Sequence, residues 1–278
     1  TYSATSGTTT ITKTSATAGH SGQPSAIEVK SGGTFTNNDG TVLLSSSLDQ
    51  DLEFDGTGNM HHLTINKSDN DVIHNSNLTI EGDLSITLAT THTFRPNTGS
   101  RTLTVTGDVT IVEGKVGAIT NYTGALSFGS LTIESGGTYS ATSGTTTITS
   151  KASSNFAFKN SGTFTHNSGT MQIGDGSTSA GGAHIMNTTY HNLIINRDQN
   201  APDGNTPWRP SSGTEVTIAG DLTVTKGRFY RNNSSNSLVV TGDVDIAANG
   251  QVGTEAASGS NTFGSLVIAG TYLATSGT

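Results

Sequence analysis

Cysteine is absent from the 278 residues, which excludes disulfides and thiolate metal sites and, with them, a small disulfide-stapled domain. Proline occurs five times and tryptophan once; aromatic residues make up 6% and charged residues 12% of the chain. That charged share is about half the usual one. Hydrophobic residues stand at 31%, well below the roughly 45–50% common in globular domains. No run approaches the ~18 apolar residues of a membrane-spanning helix, so no membrane span is expected. The net charge is −8, and no basic patch is present to neutralise phosphates, so nucleic acid is not an expected partner. Disorder usually brings high net charge or many prolines, and neither is found here. Thr, Ser, Gly and Asn fill the chain instead, alternating with Val, Ile and Leu in the manner of ordered β structure.

What is present is a repeat. Thr1 to Thr12 reads TYSATSGTTTIT, Thr138 to Thr149 reads the same, and TYLATSGT opens at Thr271. The three copies are almost evenly spaced. Missing such a repeat misreads the whole fold. The units, 1–137 and 138–270, match along their length, and 271–278 starts a third. Gly33-Thr34-Phe35-Thr36 matches Gly162-Thr163-Phe164-Thr165, and His61-His62-Leu63-Thr64-Ile65-Asn66 matches His191-Asn192-Leu193-Ile194-Ile195-Asn196. Offsets between matched blocks drift, as surface loops between packed strands allow. A shorter pattern recurs inside each unit: Gly-Asp-apolar-polar-apolar begins at Gly82, Gly107, Gly220 and Gly242. Each copy follows an alternating run such as Leu78-Thr79-Ile80. This is period-two alternation broken at a corner, the signal of short strands of about five residues. No helical period is sustained.

Short strands with Gly, Asn and Asp turns fit a β-solenoid or tandem β-sandwiches. The sub-repeat, the absence of a linker near residue 137 and the small aliphatic core positions favour the solenoid. The expected fold is all-β, a right-handed parallel β-helix. A turn of about 25–30 residues would give each unit about five coils, each advancing ~4.8 Å. A solenoid end exposes unpaired strand edges and needs a cap. Neither terminus reads as a cap, so the expectation is a segment of a longer array or a molecule that stacks head to tail on itself.

The words Gly162-Thr163-Phe164-Thr165-His166-Asn167-Ser168-Gly169-Thr170, Tyr190-His191-Asn192-Leu193-Ile194-Ile195-Asn196 and Ile218-Ala219-Gly220-Asp221-Leu222-Thr223-Val224 resemble the repeat blocks of very large bacterial surface adhesins and phage fibre-like proteins. The resemblance covers most of both units. It implies an extracellular or virion location and a structural or adhesive role, and it brings no catalytic residues, so an enzyme is not expected and no cofactor is implied.

Several residues are candidates for chemistry. Asp49, Asp51, Glu53 and Asp55 alternate, and on a strand they share one face, a conceivable calcium site. The matching stretch from Gly176 to Ile185 lacks the acids, so a solvated strand face is the expectation. His61 and His62 are adjacent and point to opposite faces of a strand, which favours polar ladders over chelation. Asp83, Asp108, Asp221 and Asp243 recur in register with the coils. That suits turn capping better than the paired carboxylates of a polysaccharide-degrading β-helix enzyme. Trp208 with Arg209, followed by Arg228, Tyr230 and Arg231, makes a candidate contact for cell-surface glycans or a receptor, set against a loop that folds back on the solenoid with Trp208 as its plug. The sequons at Asn77 and Asn187 are assigned no role. The leading expectation is a structural fibre segment, with a glycan- or receptor-binding module as the alternative.

Overall fold

The computed structural model describes residues 1–12, 25–117, 119, 121–150, 156–176, 184–186, 188–197, 209–210, 215–229, 237–253 and 259–274. Among them there is no helix, and the chain is a β-solenoid of parallel strands. It divides into two compact units, residues 1–144 with 160–165, and residues 145–159 with 166–278.

In the first unit each turn carries three short faces. On the first face Thr8–Ile11, Thr41–Leu44, His62–Lys67 and Leu84–Leu88 stack in parallel, followed by the middle parts of Leu103–Val116 and Leu126–Ser140. Period-two alternation sends one set of side chains inward, where like sits on like. Ile11, Leu44, Ile65, Ile86, Ile111 and Ile133 form one ladder; Thr9, Val42, Leu63, Leu84, Val109 and Leu131 form the next. From Val42 to Ile133 these inward aliphatics are at most 3% exposed. Outward positions carry Thr10, Leu43, Thr64, Ser85, Thr110 and Thr132. From Leu44 onward the turns sit at or below the lower bound of the expected length, as the closely spaced rungs Leu44, Ile65 and Ile86 show. The six rungs from Ile11 to Ile133 are separated by five turns, the number expected for the unit.

Two further findings depart from the sequence reading. The strands stop at the Gly-Asp corners of Gly82 and Gly220 but run on through those of Gly107 and Gly242; Leu103–Val116 is 14 residues long and pairs with Leu126–Ser140, which is 15. Their pairing skips only between Val105 and Asp108 and between Ile111 and Glu113, so backbone bonding continues through the bend. The sequence unit is also not a whole number of turns. Tyr2 pairs with Phe35 on the third face, which continues through Met60, Ile80, Val105 and Phe128. Tyr139, in the same words one repeat later, stands on Val116 and Phe94 of the second face.

The second face of this unit holds less uniform residues: Val72, Phe94, Val116, Tyr139 and Phe164 in one ladder, and Leu52, His74 and Pro96 beside it. The two aromatics at the end of the first ladder stack at 6.0 Å and 14°. His74 is 1% exposed, lies 5.6 Å from the Phe94 ring, and donates Nδ1–H to the Ser76 carbonyl at 2.9 Å.

The second unit repeats the plan. Thr145–Ile148, Thr170–Ile173, Asn192–Asn196, Leu222–Phe229, Ser237–Val252 and Asn261–Ile268 stack in parallel, with Ile148, Ile173, Ile195, Val224, Ile246 and Ile268 inward. The rungs are spaced much as in the first unit, and the widest step runs from Ile195 to Val224. In the last rung Leu266 and Ile268 are 36% and 49% exposed, whereas Val244 and Ile246 beneath them are fully buried.

Burial, with a smaller contribution from the nearby Arg101 charge, lowers the His74 pKa to about 4. The unfolded chain takes up this proton near 6.5 and the folded one only near 4, so stability falls as pH drops through that window. The expected loss reaches the order of 3 kcal/mol at its lower end. Chemical denaturation of wild type and His74→Leu from pH 7 to 4 checks it: the variant starts less stable and shows the shallower slope.

Candidate functional site

The recurring acids stand at one edge of the inward-facing ladders, where each coil turns onto the strand. A Gly at the corner leaves room for the coil below, and the Asp that follows reaches the coil above. In the first unit the Asp83 N–H donates to His62 Nδ1 at 2.8 Å, and the Asp108 N–H donates to Asp83 Oδ1 at 2.8 Å. The Ser130 hydroxyl closes the series by donating to Asp108 Oδ1 at 2.7 Å. The second unit has the same ladder with one exchange. Asp221 N–H donates to Asn192 Oδ1 at 3.0 Å, Asp243 N–H to Asp221 Oδ1 at 2.9 Å, and Ser265 Oγ–H to Asp243 Oδ1 at 2.6 Å. Behind each ladder the glycine amides bond coil to coil, Gly107 to the Gly82 carbonyl and Gly242 to the Gly220 carbonyl, both at 3.0 Å.

The glycines are required by this approach. A Cβ on Gly107 would meet the Asp83 carboxylate and lie 2.7 Å from the Gly82 carbonyl, and one on Gly242 would meet Asp221 in the same way. The acids stack along one edge of each unit, each carboxylate engaged by its neighbour. They do not face one another across a cleft as general acid and base would.

A second polar cluster, which the sequence reading missed, occupies another corner of the first unit. Asp71 accepts the Thr93 N–H at 2.9 Å and lies 3.3 Å from Arg95 Nε, while His92 reaches Asp69 at 3.1 Å and Asp71 at 3.7 Å. Asp49 accepts the Asp71 N–H at 3.1 Å. Lys67, 4% exposed, donates to the carbonyls of Leu48 at 2.6 Å and Asp71 at 3.2 Å. Burial pulls its pKa down to about 8 against the nearby Asp49, Asp71 and Asp69 charges. The available signal was spacing: Asp71 follows Asp49, and Thr93 follows Asp71, by the same interval of one rung. Arg197 holds the matching place in the second unit and is also 4% exposed.

The alternating acids do not form the solvated face expected of them. Asp51 is fully buried and Glu53 is 4% exposed, and Asp51 accepts a hydrogen bond from Asn75 Nδ2 at 2.7 Å. Asp49 serves the corner just described, and Asp55 is exposed. Among the described residues no group of three or more His, Asp or Glu is arranged to hold a metal ion. His61 and His62 do not splay to opposite faces, because the strand begins only at His62; their rings meet edge to face at 4.3 Å. Trp208, Tyr230 and Arg231 lie outside the described residues, as does Asn187. Arg209 lies on the short strand Arg209–Pro210, paired with His184–Ile185. Arg228 is half-buried and pairs with Gln251. Asn77 is exposed, and its Oδ1 accepts the Thr102 N–H at 3.0 Å.

Comparison with protein-family models, with curated proteins and with solved structures finds no match. The likeness to adhesin and phage-fibre repeats therefore rests on the residue words alone.

Substitutions at two positions test the ladder, with a third position as the control. Asp83→Ala removes an acceptor for the next coil and should cost about 1 kcal/mol, whereas Asp83→Asn keeps the carbonyl oxygen and should cost under about 0.5 kcal/mol. Gly107→Ala should cost about 1–3 kcal/mol through overpacking. Gly7→Ala, whose Cβ would find its nearest neighbour at 3.6 Å, should be close to neutral. Urea denaturation of the four variants checks both expectations.

Proposed function

We propose that this chain is a structural segment of an extracellular or virion fibre, a stalk of the adhesin kind. One observation carries the reading: the polar residues that recur from unit to unit are committed to bonds between coils. Asp83, Asp108, Asp221 and Asp243 each have a carboxylate oxygen occupied by the neighbouring coil. The Asn192 and His62 side chains begin these series. A chain whose repeated chemistry goes into stacking is suited to length and stiffness. Its mechanism is mechanical: coils bear load along the stacking direction, and the loops between blocks provide contacts.

Its principal partner is then further coils of its own kind. The edge strand Asn261–Ile268 presents Leu266, Val267 and Ile268 at 36%, 57% and 49% exposure. The lack of cysteine and the weakly charged Thr- and Ser-rich outer positions suit a large surface protein.

Cryo-electron microscopy of the native source material tests this reading. The expected image is a filament with an axial repeat near ~4.8 Å, the strand spacing. Discrete beads, or strands that do not stack along the filament axis, would contradict it.

A further inference from the structure

At two corners a histidine stands where the matching unit has an asparagine, and each uses a ring nitrogen as the asparagine uses its carbonyl oxygen. His62 Nδ1 accepts the Asp83 N–H at 2.8 Å where Asn192 Oδ1 accepts that of Asp221. His166 Nδ1 accepts the Ser168 N–H at 3.0 Å where Asn37 Oδ1 accepts that of Asp39. An imidazole nitrogen accepts only when it carries no proton. An amide oxygen has no such requirement.

The His166 corner is a tight turn. Asn167 and Ser168 have φ of 46° and 57°, and the Gly169 N–H bonds the His166 carbonyl at 2.9 Å. Asn38 and Asp39, at 47° and 58°, make the same turn in the first unit. Two consecutive left-handed residues suit Asn, Asp and Gly. Ser168 is the least suited of the four, so its turn depends most on the side-chain acceptor.

The two histidines differ in what faces them. His62 has the Asp83 carboxylate 3.6 Å from Nδ1, the His61 ring at 4.3 Å, and Asp39 3.6 Å from His61. A proton taken up at Nδ1 there meets a carboxylate. His166 is faced by the His191 ring, stacked at 5.5 Å and 17°. Among the described residues no carboxylate lies within ion-pair reach of it. A proton at His166 removes the acceptor for Ser168 and, once His191 is charged, sets two cations in a stack.

We propose that the His166–Gly169 turn is an acid-sensitive latch, closed by neutral His166 and opened when Nδ1 is protonated, while the Asn37–Gly40 turn stays closed. Burial first, and His191 second, hold the His166 pKa below the ordinary imidazole range. An open turn takes up the proton more readily than a closed one, so closure is favoured at neutral pH and lost as pH falls.

Amide hydrogen exchange on the whole chain at pH 8 and pH 5, corrected for intrinsic rates, tests the latch. Protection of the Ser168 amide should fall about tenfold relative to the Asp39 amide, the scale of one lost hydrogen bond. His166→Asn should abolish that fall. Nitrogen chemical shifts of the His166 ring give a second readout in the unmodified protein, and at pH 8 they should show the Nε2–H tautomer. Constant relative protection, the same fall in His166→Asn, or a protonated Nδ1 at pH 8 would overturn the proposal.

Discussion

Parallel strands in this fold bond chiefly to the strands above and below them. Each coil therefore has to place, at every position, a residue that tolerates its counterpart one rung away. The consequences run through both units. Inward positions become columns of Ile, Leu and Val, because equal shapes pack without voids when stacked. Corners become columns of Gly, because a Cβ there would strike the carbonyl of the neighbouring coil. The residue after each Gly becomes a column of short acceptors, Asp above all, because the N–H of the coil above points at it.

The same constraint explains how charge is used. Isolated surface ion pairs contribute little, and few occur among the described residues. Where ionisable groups gather, at Asp49, Lys67, Asp71, His92 and Arg95, they join residues of adjacent rungs and serve backbone groups left over at the bend. Lys67 is the extreme case: its ammonium group fills carbonyls on two rungs from within the corner. Polar residues in this molecule act chiefly as ties between coils, and the aliphatic ladders supply the driving force for burial.

Much of this was legible in the sequence. Alternation broken by Gly-Asp located the strands on the aliphatic ladders, and the register of Asp83 with Asp108 placed the acids at the turns, although their carboxylates bond the next coil and do not cap their own turn. Coil length was not legible, because the long sequence repeat counts strands and not whole turns. Tyr2 and Tyr139 share their words but stand on different faces. The burial of Asp51 and Glu53 was also hidden. Alternation tells which side of a strand a residue takes, but not whether that outer side is covered. The Asp71 corner was overlooked because its members are adjacent only across rungs. The paired use of His and Asn as acceptors needed coordinates, since composition does not distinguish a ring nitrogen that accepts from one that donates.

The central claim is that corner side chains couple one coil to the next. A double-mutant cycle on Asp108 and Ser130, whose side chains meet at 2.7 Å, measures that coupling directly. Stability of wild type, Asp108→Ala, Ser130→Ala and the double variant gives the interaction energy. A coupling of about 1 kcal/mol is predicted for a partly exposed hydrogen bond to a carboxylate. Additive single effects would contradict the account, leaving the stack to backbone pairing and aliphatic packing alone.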